Sequence, residues 1–116
     1  MARRRHKREP LSAHVMLLLD EGEHPLVRRG SLADISFGGV KLYLVQPLEV
    51  GVRVTLEIRF IMAGGEVKTE TVRGTAIYSQ KIQDIHFVGI EFDQELDPKL
   101  HPDLYGRIVE IIESED

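Results

Sequence analysis

The sequence predicts a mainly all-β fold, a six-stranded antiparallel β-barrel with a C-terminal α-helix and a flexible basic arm at its N-terminus. Three observations favour this fold. Six short apolar or alternating segments follow one another at close spacing, glycines and prolines stand between them, and the apolar spacing becomes helical only near the C-terminus. The 116 residues are enough for one domain with a modest core, and the chain has no cysteine. We therefore expect a single domain without disulfides.

The first half of the chain predicts an arm and three strands. Pro10 fixes its own φ and steers Glu9 away from helix, so we expect the arm to span residues 1–9 and the domain to span 10–116. Leu11–Leu19 and Leu26–Ser36 read as strands around a turn over 20–25. A third strand starts at Val40 and ends before Pro47.

The second half predicts three more strands. Residues 52–60 alternate strictly between apolar and polar side chains, which indicates a half-buried strand. The glycines in 63–66 suit a tight hairpin that needs positive φ, and we expect another turn around Lys81–Asp84. The three predicted strands are Val52–Phe60, Val67–Ser79 and Ile85–Phe92, the last with His86, Val88, Ile90 and Phe92 on one face and Gly89 free for a bulge or a close approach.

A short amphipathic helix follows Asp97–Pro98. Its apolar residues recur at helical spacing, with charged residues on the other side. The apolar stripe predicts that the helix covers the open end or a flank of the barrel. The stripe contains Leu104, Ile108, Ile111 and Ile112, and the charged side contains Arg107, Glu110 and Glu113.

Charge is distributed unevenly along the chain. Five of the 15 basic residues lie within the first eight positions, which contain no acid, so the other 108 residues carry 10 basic and 19 acidic groups. A broad nucleic-acid surface needs many basic contacts along a backbone, and the acidic body makes such a surface unfavourable. A short basic arm suits a compact anion better.

Two motifs together suggest a binding site. Asp34 and Ser36 supply an acceptor and a donor beside Gly38 and Gly39, where backbone can approach a ligand closely. In the arm, Arg4 and Arg8 are four residues apart, and their planar guanidinium groups suit phosphates or the O6 and N7 acceptors of guanine. Taken alone, each motif is commoner as a solvated turn or tail. Together they indicate a composite site for a phosphate-bearing purine.

The order of these motifs resembles that of the PilZ domain family. Arg4-x-x-x-Arg8 is followed some thirty residues later by Asp34-x-Ser36-x-x-Gly39, and residues 74–78 and 87–92 resemble the late strands of the family. The resemblance covers nearly the whole chain. It implies a six-stranded barrel that binds the bacterial second messenger cyclic di-GMP and passes the signal to a protein partner.

The resemblance also implies a role for each motif residue. Arg4 and Arg8 would engage guanine edges and phosphates, Asp34 and Ser36 would contact a guanine, and Gly39, next to Gly38, would allow close backbone approach. In this family a basic residue before the paired arginines tends to go with an intercalated ligand dimer, so Arg3 favours two ligands per domain. Tyr78 stands where the family often carries a large side chain that can stack on a base, although strand packing is the commoner role.

Other function classes have weaker support. The chain has no phosphate-binding Gly-Lys-Ser/Thr loop, no nucleophile elbow and no metal-ligand spacing among its five histidines, so we expect neither an enzyme nor a metal or cofactor. No apolar run has the length of a membrane span, which favours a cytoplasmic protein. A PilZ-like adaptor that binds partners without ligand stays open, as do outputs in motility, exopolysaccharide synthesis, pili or transcription.

Overall fold

The computed structural model describes residues 11–19 and 26–113. This part of the chain folds into six strands and one helix. The predicted arm, with Arg3, Arg4 and Arg8, and the predicted turn over 20–25 lie outside the described residues. The elements are β1 (Ala13–Leu19), β2 (Leu26–Ile35), β3 (Gly39–Leu44), β4 (Arg53–Ile61), β5 (Val67–Ile82), β6 (Ile85–Phe92) and α1 (Pro102–Glu113).

The six strands form a closed antiparallel barrel in the order β1-β2-β3-β6-β5-β4. Four of the six pairs join strands that are consecutive in the chain, while β3 pairs with β6 and β1 closes the barrel against β4. Closure leaves no strand edge unpaired in the described sheet. The predicted fold class, a six-stranded antiparallel barrel with a C-terminal helix, is confirmed.

Alternation along the strands separates the core from the outer face, although β2 contains no fully buried residue. In β4, Val54, Leu56, Ile58 and Phe60 are buried, as the period-two pattern predicts. In β6, Val88, Ile90 and Phe92 are buried and His86 is half-buried on the same face. No polar or charged residue is fully buried within the part of the chain that the structure describes. The barrel interior is therefore aliphatic and aromatic, and the polar chemistry lies on its outer face.

The hairpin between β5 and β6 differs from the prediction. The predicted strand end at Ser79 and the expected turn at Lys81 and Ile82 are wrong, because β5 continues through Ile82, which pairs with Ile85. The connection is the two-residue turn Gln83–Asp84, in which Gln83 has a φ of 56°. The β4–β5 hairpin uses a glycine for the same purpose, since Gly65 has a φ of 94°.

Helix α1 packs across one end of the barrel. Leu104, Ile108 and Ile111 are buried, whereas Ile112, predicted in the same stripe, is half exposed. Arg107 also departs from its predicted solvent side, because its Nε donates to the Ile61 carbonyl at the end of β4 over 3.2 Å. The helix therefore packs on the barrel through three of its apolar side chains, and its Arg107 bonds to the end of β4.

The start of α1 is capped by a residue from the barrel wall. Two carboxylate oxygens of Glu70, on β5, accept hydrogen bonds from the Asp103 and Leu104 backbone N–H groups, each over 3.0 Å. These amides belong to the first turn of the helix and have no partner within it. A carboxylate also complements the positive end of the helix dipole. Glu70 therefore fixes the position of α1 on the barrel.

Candidate functional site

A bulge in β2 sets the direction of Asp34. The pairing between β2 and β3 shifts register between Leu32 and Asp34, and Asp34 then lies opposite Lys41 on the exposed face. Its Oδ1 accepts a hydrogen bond from the Ile35 N–H over 2.9 Å. Its Oδ2 has no hydrogen bond within the described residues. The carboxylate is thus held by its own backbone and keeps one oxygen for another donor.

Ser36 closes the turn that follows. Its backbone N–H donates to the Gly39 carbonyl over 2.9 Å, and its Oγ accepts from the Gly38 N–H over 3.3 Å. The hydroxyl also donates to the Gly39 carbonyl at 3.4 Å, which is long for an O–H donor. This long contact leaves the hydroxyl free to turn toward a better acceptor. Residues 34–39 are called the motif turn below.

The two glycines of the motif turn have different neighbours. A Cβ on Gly39 would lie 2.5 Å from the Ile90 carbonyl oxygen of β6, so a side chain there would force the strands apart. A Cβ on Gly38 would have no heavy atom within 4 Å. Gly39 therefore allows β3 and β6 to approach each other, and Gly38 leaves open space above the turn.

The motif turn is attached to both the barrel and the helix. The Gly38 carbonyl accepts from the Phe92 N–H over 2.9 Å, and the Phe37 carbonyl accepts from the Leu96 N–H over 2.8 Å. The Phe37 ring packs on Tyr105 of α1, with 4.8 Å between ring centroids. These contacts fix the position of the turn relative to the barrel and the helix.

An open depression of about 250 Å³ lies over the motif turn on the outer face of the barrel. It brings together Asp34, Ser36, Gly38 and Gly39, all of which the sequence predicted. It also includes residues that the motifs did not indicate. These are Ile35 and Val40, Lys41 of β3, Ile77 at the bulge of β5, and Gly89, Ile90 and Glu91 of β6.

Tyr78 borders this depression beside Gly89. The two residues are opposite each other in the β5–β6 pair, and a Cβ on Gly89 would lie 3.4 Å from the Cβ of Tyr78. The Tyr78 ring packs edge-on against Phe87, with 6.0 Å between centroids, and its hydroxyl donates to the Gln80 side chain. Tyr78 is exposed, so base stacking by its ring stays a prediction.

The first described residue after the arm lies close to the motif turn. Leu11 and Asp34 line one crevice of about 150 Å³, together with Ile108 and Ile111 of α1. Leu11 therefore lies beside the acidic end of the motif turn.

A larger groove lies on another face of the barrel. It has a volume of about 770 Å³ and is lined mainly by outward side chains of β1, β4 and β5 with Arg29 of β2. None of the predicted site residues that the structure describes lies in it. Volume alone does not identify a site, and the depression at the motif turn is where the predicted donors and acceptors meet.

Comparison with protein families agrees with this geometry. The family model of the PilZ domain matches residues 2–114. The chain belongs to the PilZ domain family. This family is generally one of cyclic di-GMP-binding domains, and it is a ligand-binding and adaptor family rather than a known catalytic one. A search of curated proteins found no significant match.

No cluster of three or more histidine, aspartate or glutamate residues suited to a metal occurs within 11–19 and 26–113. No helix in the same part of this PilZ domain is long and apolar enough to cross a membrane.

Proposed function

We propose that this PilZ domain is a cyclic di-GMP receptor of bacterial second-messenger signalling, acting in the cytoplasm. The ligand lies over the motif turn and is gripped by the basic arm. Family membership supports the ligand class, and the five motif residues are all present in order. The domain is divided into an arm over residues 1–9 and a barrel with its helix over 10–116.

The observation that carries the proposal is the shared crevice of Leu11 and Asp34. Leu11, the first described residue after the arm, lines this crevice beside the acidic end of the motif turn, and this supports an arm that reaches the turn. Arg8 needs only three residues of chain to extend from Leu11, and Arg4 needs seven. Two motifs that are separated by some thirty residues in sequence can therefore contact one small ligand.

The chemistry of the site matches a guanine dinucleotide. The free Oδ2 of Asp34 accepts from guanine N–H donors, and the Ser36 hydroxyl exchanges its long internal contact for a ligand acceptor. The open space over Gly38 admits the ligand to the backbone. Arg4 and Arg8 donate to phosphate oxygens and to guanine O6 and N7. Arg3 supports an intercalated pair of ligands.

The signal is a change in the arm. Bound ligand draws residues 1–9 against the barrel, because charge-assisted contacts offset the entropy lost by the arm. The ordered arm and the surface around it then form or mask a contact for a downstream protein partner. No resident cofactor is required.

Isothermal titration with cyclic di-GMP tests this function. The wild-type chain is compared with an Arg4→Ala, Arg8→Ala double variant and with an Arg5→Ala, Lys7→Ala double variant, and GTP is the competing nucleotide. The two double variants remove the same charge from the same arm. We expect saturable binding by the wild type and the control, at least about tenfold weaker binding by the motif variant, and little competition by GTP.

The outcomes separate the alternatives. A stoichiometry near two ligands per chain supports the role of Arg3, and a value near one contradicts it. Equal losses of affinity in both double variants would indicate that binding depends only on the total charge of the arm, as it does in nucleic-acid binding. The affinity for any polyanion would then fall steeply as the salt concentration rises. Absence of heat at high ligand excess would refute the receptor.

A second candidate is a ligand-independent PilZ adaptor. The observation that favours it is a group of exposed or half-exposed apolar side chains on β3, β6 and β5. The Tyr43 and Phe87 rings lie 5.3 Å apart beside Tyr78, and Ile77, Ile82 and Ile85 are also exposed. Exposed apolar patches of this kind mark contact sites for proteins.

A further inference from the structure

The floor of the depression is formed by two glycines on neighbouring strands. In the β3–β6 pair, Lys41 lies opposite Gly89 and Gly39 lies opposite Glu91. The pairing puts all four positions on the same side of the sheet, where Lys41 and Glu91 are exposed, Gly39 is half-buried and Gly89 is buried. Two adjacent rows therefore each contain one glycine and one charged side chain. Gly39 and Gly89, called the glycine floor below, leave a flat area without a Cβ between the two charges.

Lys41 and Glu91 stand at opposite corners of the glycine floor. Diagonal neighbours of this kind are about 7–8 Å apart in an antiparallel pair, which is close to the width of a purine. Both residues are exposed and line the depression. Within residues 11–19 and 26–113, neither makes an ion pair or a side-chain hydrogen bond. Lys41 makes no ion pair with Asp34 either, although Asp34 lies directly opposite it on β2.

The charges of the depression restrict how an anionic ligand can lie in it. Its described lining contains two carboxylates, Asp34 and Glu91, and one ammonium group, Lys41. A phosphate placed beside Glu91 would meet a like charge, whereas a base edge with N–H donors would meet an acceptor. The side of the depression formed by β6 therefore suits a base rather than a phosphate.

Guanine fits the two corners in one orientation. Its O6 and N7 are acceptors on one edge, and its N1–H and N2–H₂ are donors on the adjacent edge. A guanine flat on the glycine floor would point O6 and N7 toward the Lys41 ammonium and its N–H donors toward the Glu91 carboxylate. Adenine would place the N1 acceptor against Glu91 and the N6–H₂ donor toward Lys41, and both contacts would be unfavourable.

We propose that Lys41 and Glu91 read one guanine of the ligand over the glycine floor, and that Asp34 serves the other guanine. This inference rests on the proposed function, because it assigns the specificity of the same site. Lys41 of β3 and Glu91 of β6 would then contact the ligand in addition to the motif turn and the arm.

Isothermal titration at fixed salt tests the pair with cyclic di-GMP and cyclic di-AMP as probes. The variants are Lys41→Met and Glu91→Gln. The matched controls are Lys81→Met and Glu95→Gln, which change the same charges at exposed positions outside the depression. Thermal denaturation of each variant checks that the barrel is intact, and Lys41→Arg tests whether a cation at this position is enough.

We expect Lys41→Met to weaken cyclic di-GMP about tenfold and Lys41→Arg to restore binding to within about threefold of the wild type. Glu91→Gln should also weaken cyclic di-GMP about tenfold and narrow its preference over cyclic di-AMP. This direction is informative because removing a carboxylate from an anion site would otherwise strengthen binding. The control Glu95→Gln should bind as well as the wild type or slightly better.

Three results would overturn the inference in different ways. If the wild type binds and the Lys41→Met and Glu91→Gln variants bind as well as their controls, the base-reading pair is overturned and the receptor function stands. Absence of wild-type binding would overturn the receptor and this assignment together. Tighter binding by Glu91→Gln would show that the carboxylate only repels the ligand, and would also contradict the proposal.

Discussion

The two adjacent glycines of the motif turn have different roles, although the sequence alone suggests the same role for both. Gly39 is required by the barrel, because the Ile90 carbonyl occupies the space where its side chain would be. A side chain on Gly38 would meet no heavy atom within 4 Å. The sequence predicted that close backbone approach matters at this turn, but both glycines looked equivalent because the approaching strand, β6, is some fifty residues away.

A pair of alanine substitutions tests this division. Gly39→Ala should destabilise the fold by about 1–3 kcal/mol, because the strands must separate to admit a methyl group. Gly38→Ala should leave the free energy of unfolding nearly unchanged and weaken only ligand binding. Urea denaturation of both variants measures the difference. Equal stabilities would show that β3 and β6 accommodate a side chain at Gly39.

Other residues of the site were predictable to different degrees. Asp34 and Ser36 could be predicted because a short motif carries them. Lys41 is outward by alternation in β3, but its place in the depression depends on the pairing of β3 with β6, which are not consecutive strands. Glu91 depends on the same pairing. No local pattern in the sequence determines which distant strands become neighbours.

At the scale of elements, helix α1 shows what a local pattern can determine. The spacing of Leu104, Ile108 and Ile111 predicted the helix and its buried face. The cap could not be predicted, because the acceptor, Glu70, is more than thirty residues earlier on a strand. Arg107 was misplaced for a similar reason, since its acceptor is the Ile61 carbonyl at the end of β4.

The cap gives a prediction for the helix. Glu70→Ala should cost about 1 kcal/mol of stability, because the Asp103 and Leu104 amides lose their acceptor and the dipole loses a nearby negative charge. Relative to the wild type, amide hydrogen exchange in this variant should be faster at the start of α1 and unchanged in β4. Glu49→Ala, at an exposed position outside the helix contact, is the control. Uniformly faster exchange across the barrel would contradict a local capping role.

At the scale of the whole molecule, one ion pair joins the chain after β6 to β4. Both carboxylate oxygens of Asp93 accept from the guanidinium of Arg53, each over 2.8 Å, and Arg53 also donates to Thr75 of β5. The hydrogen bond from Arg53 lowers the pKa of Asp93 below its ordinary 3.8, and the charges of Arg53 and Arg73 act in the same direction against desolvation. Arg53 thus links β4 and β5 to the chain after β6.

The lowered pKa predicts how stability varies with pH. Asp93 binds a proton less readily in the folded than in the unfolded protein, so its contribution is complete above pH 3.8 and is lost as pH falls through the folded pKa. The stability difference between wild type and Asp93→Asn should thus be constant near neutrality and shrink below pH 3.8. Chemical denaturation over this range measures it. If the stability difference persisted at the lowest pH, the contribution of Asp93 would not depend on its ionisation.

The closed barrel also has a consequence for the rate at which the protein folds. Closure pairs β1 with β4, and the depression is complete only after β6 has joined β3. Contacts between such distant segments form late, because each requires a long loop to close first. A ligand that needs Gly89 and Glu91 as well as the motif turn has no site in a half-folded chain. It should therefore slow unfolding and leave the rate of folding nearly unchanged.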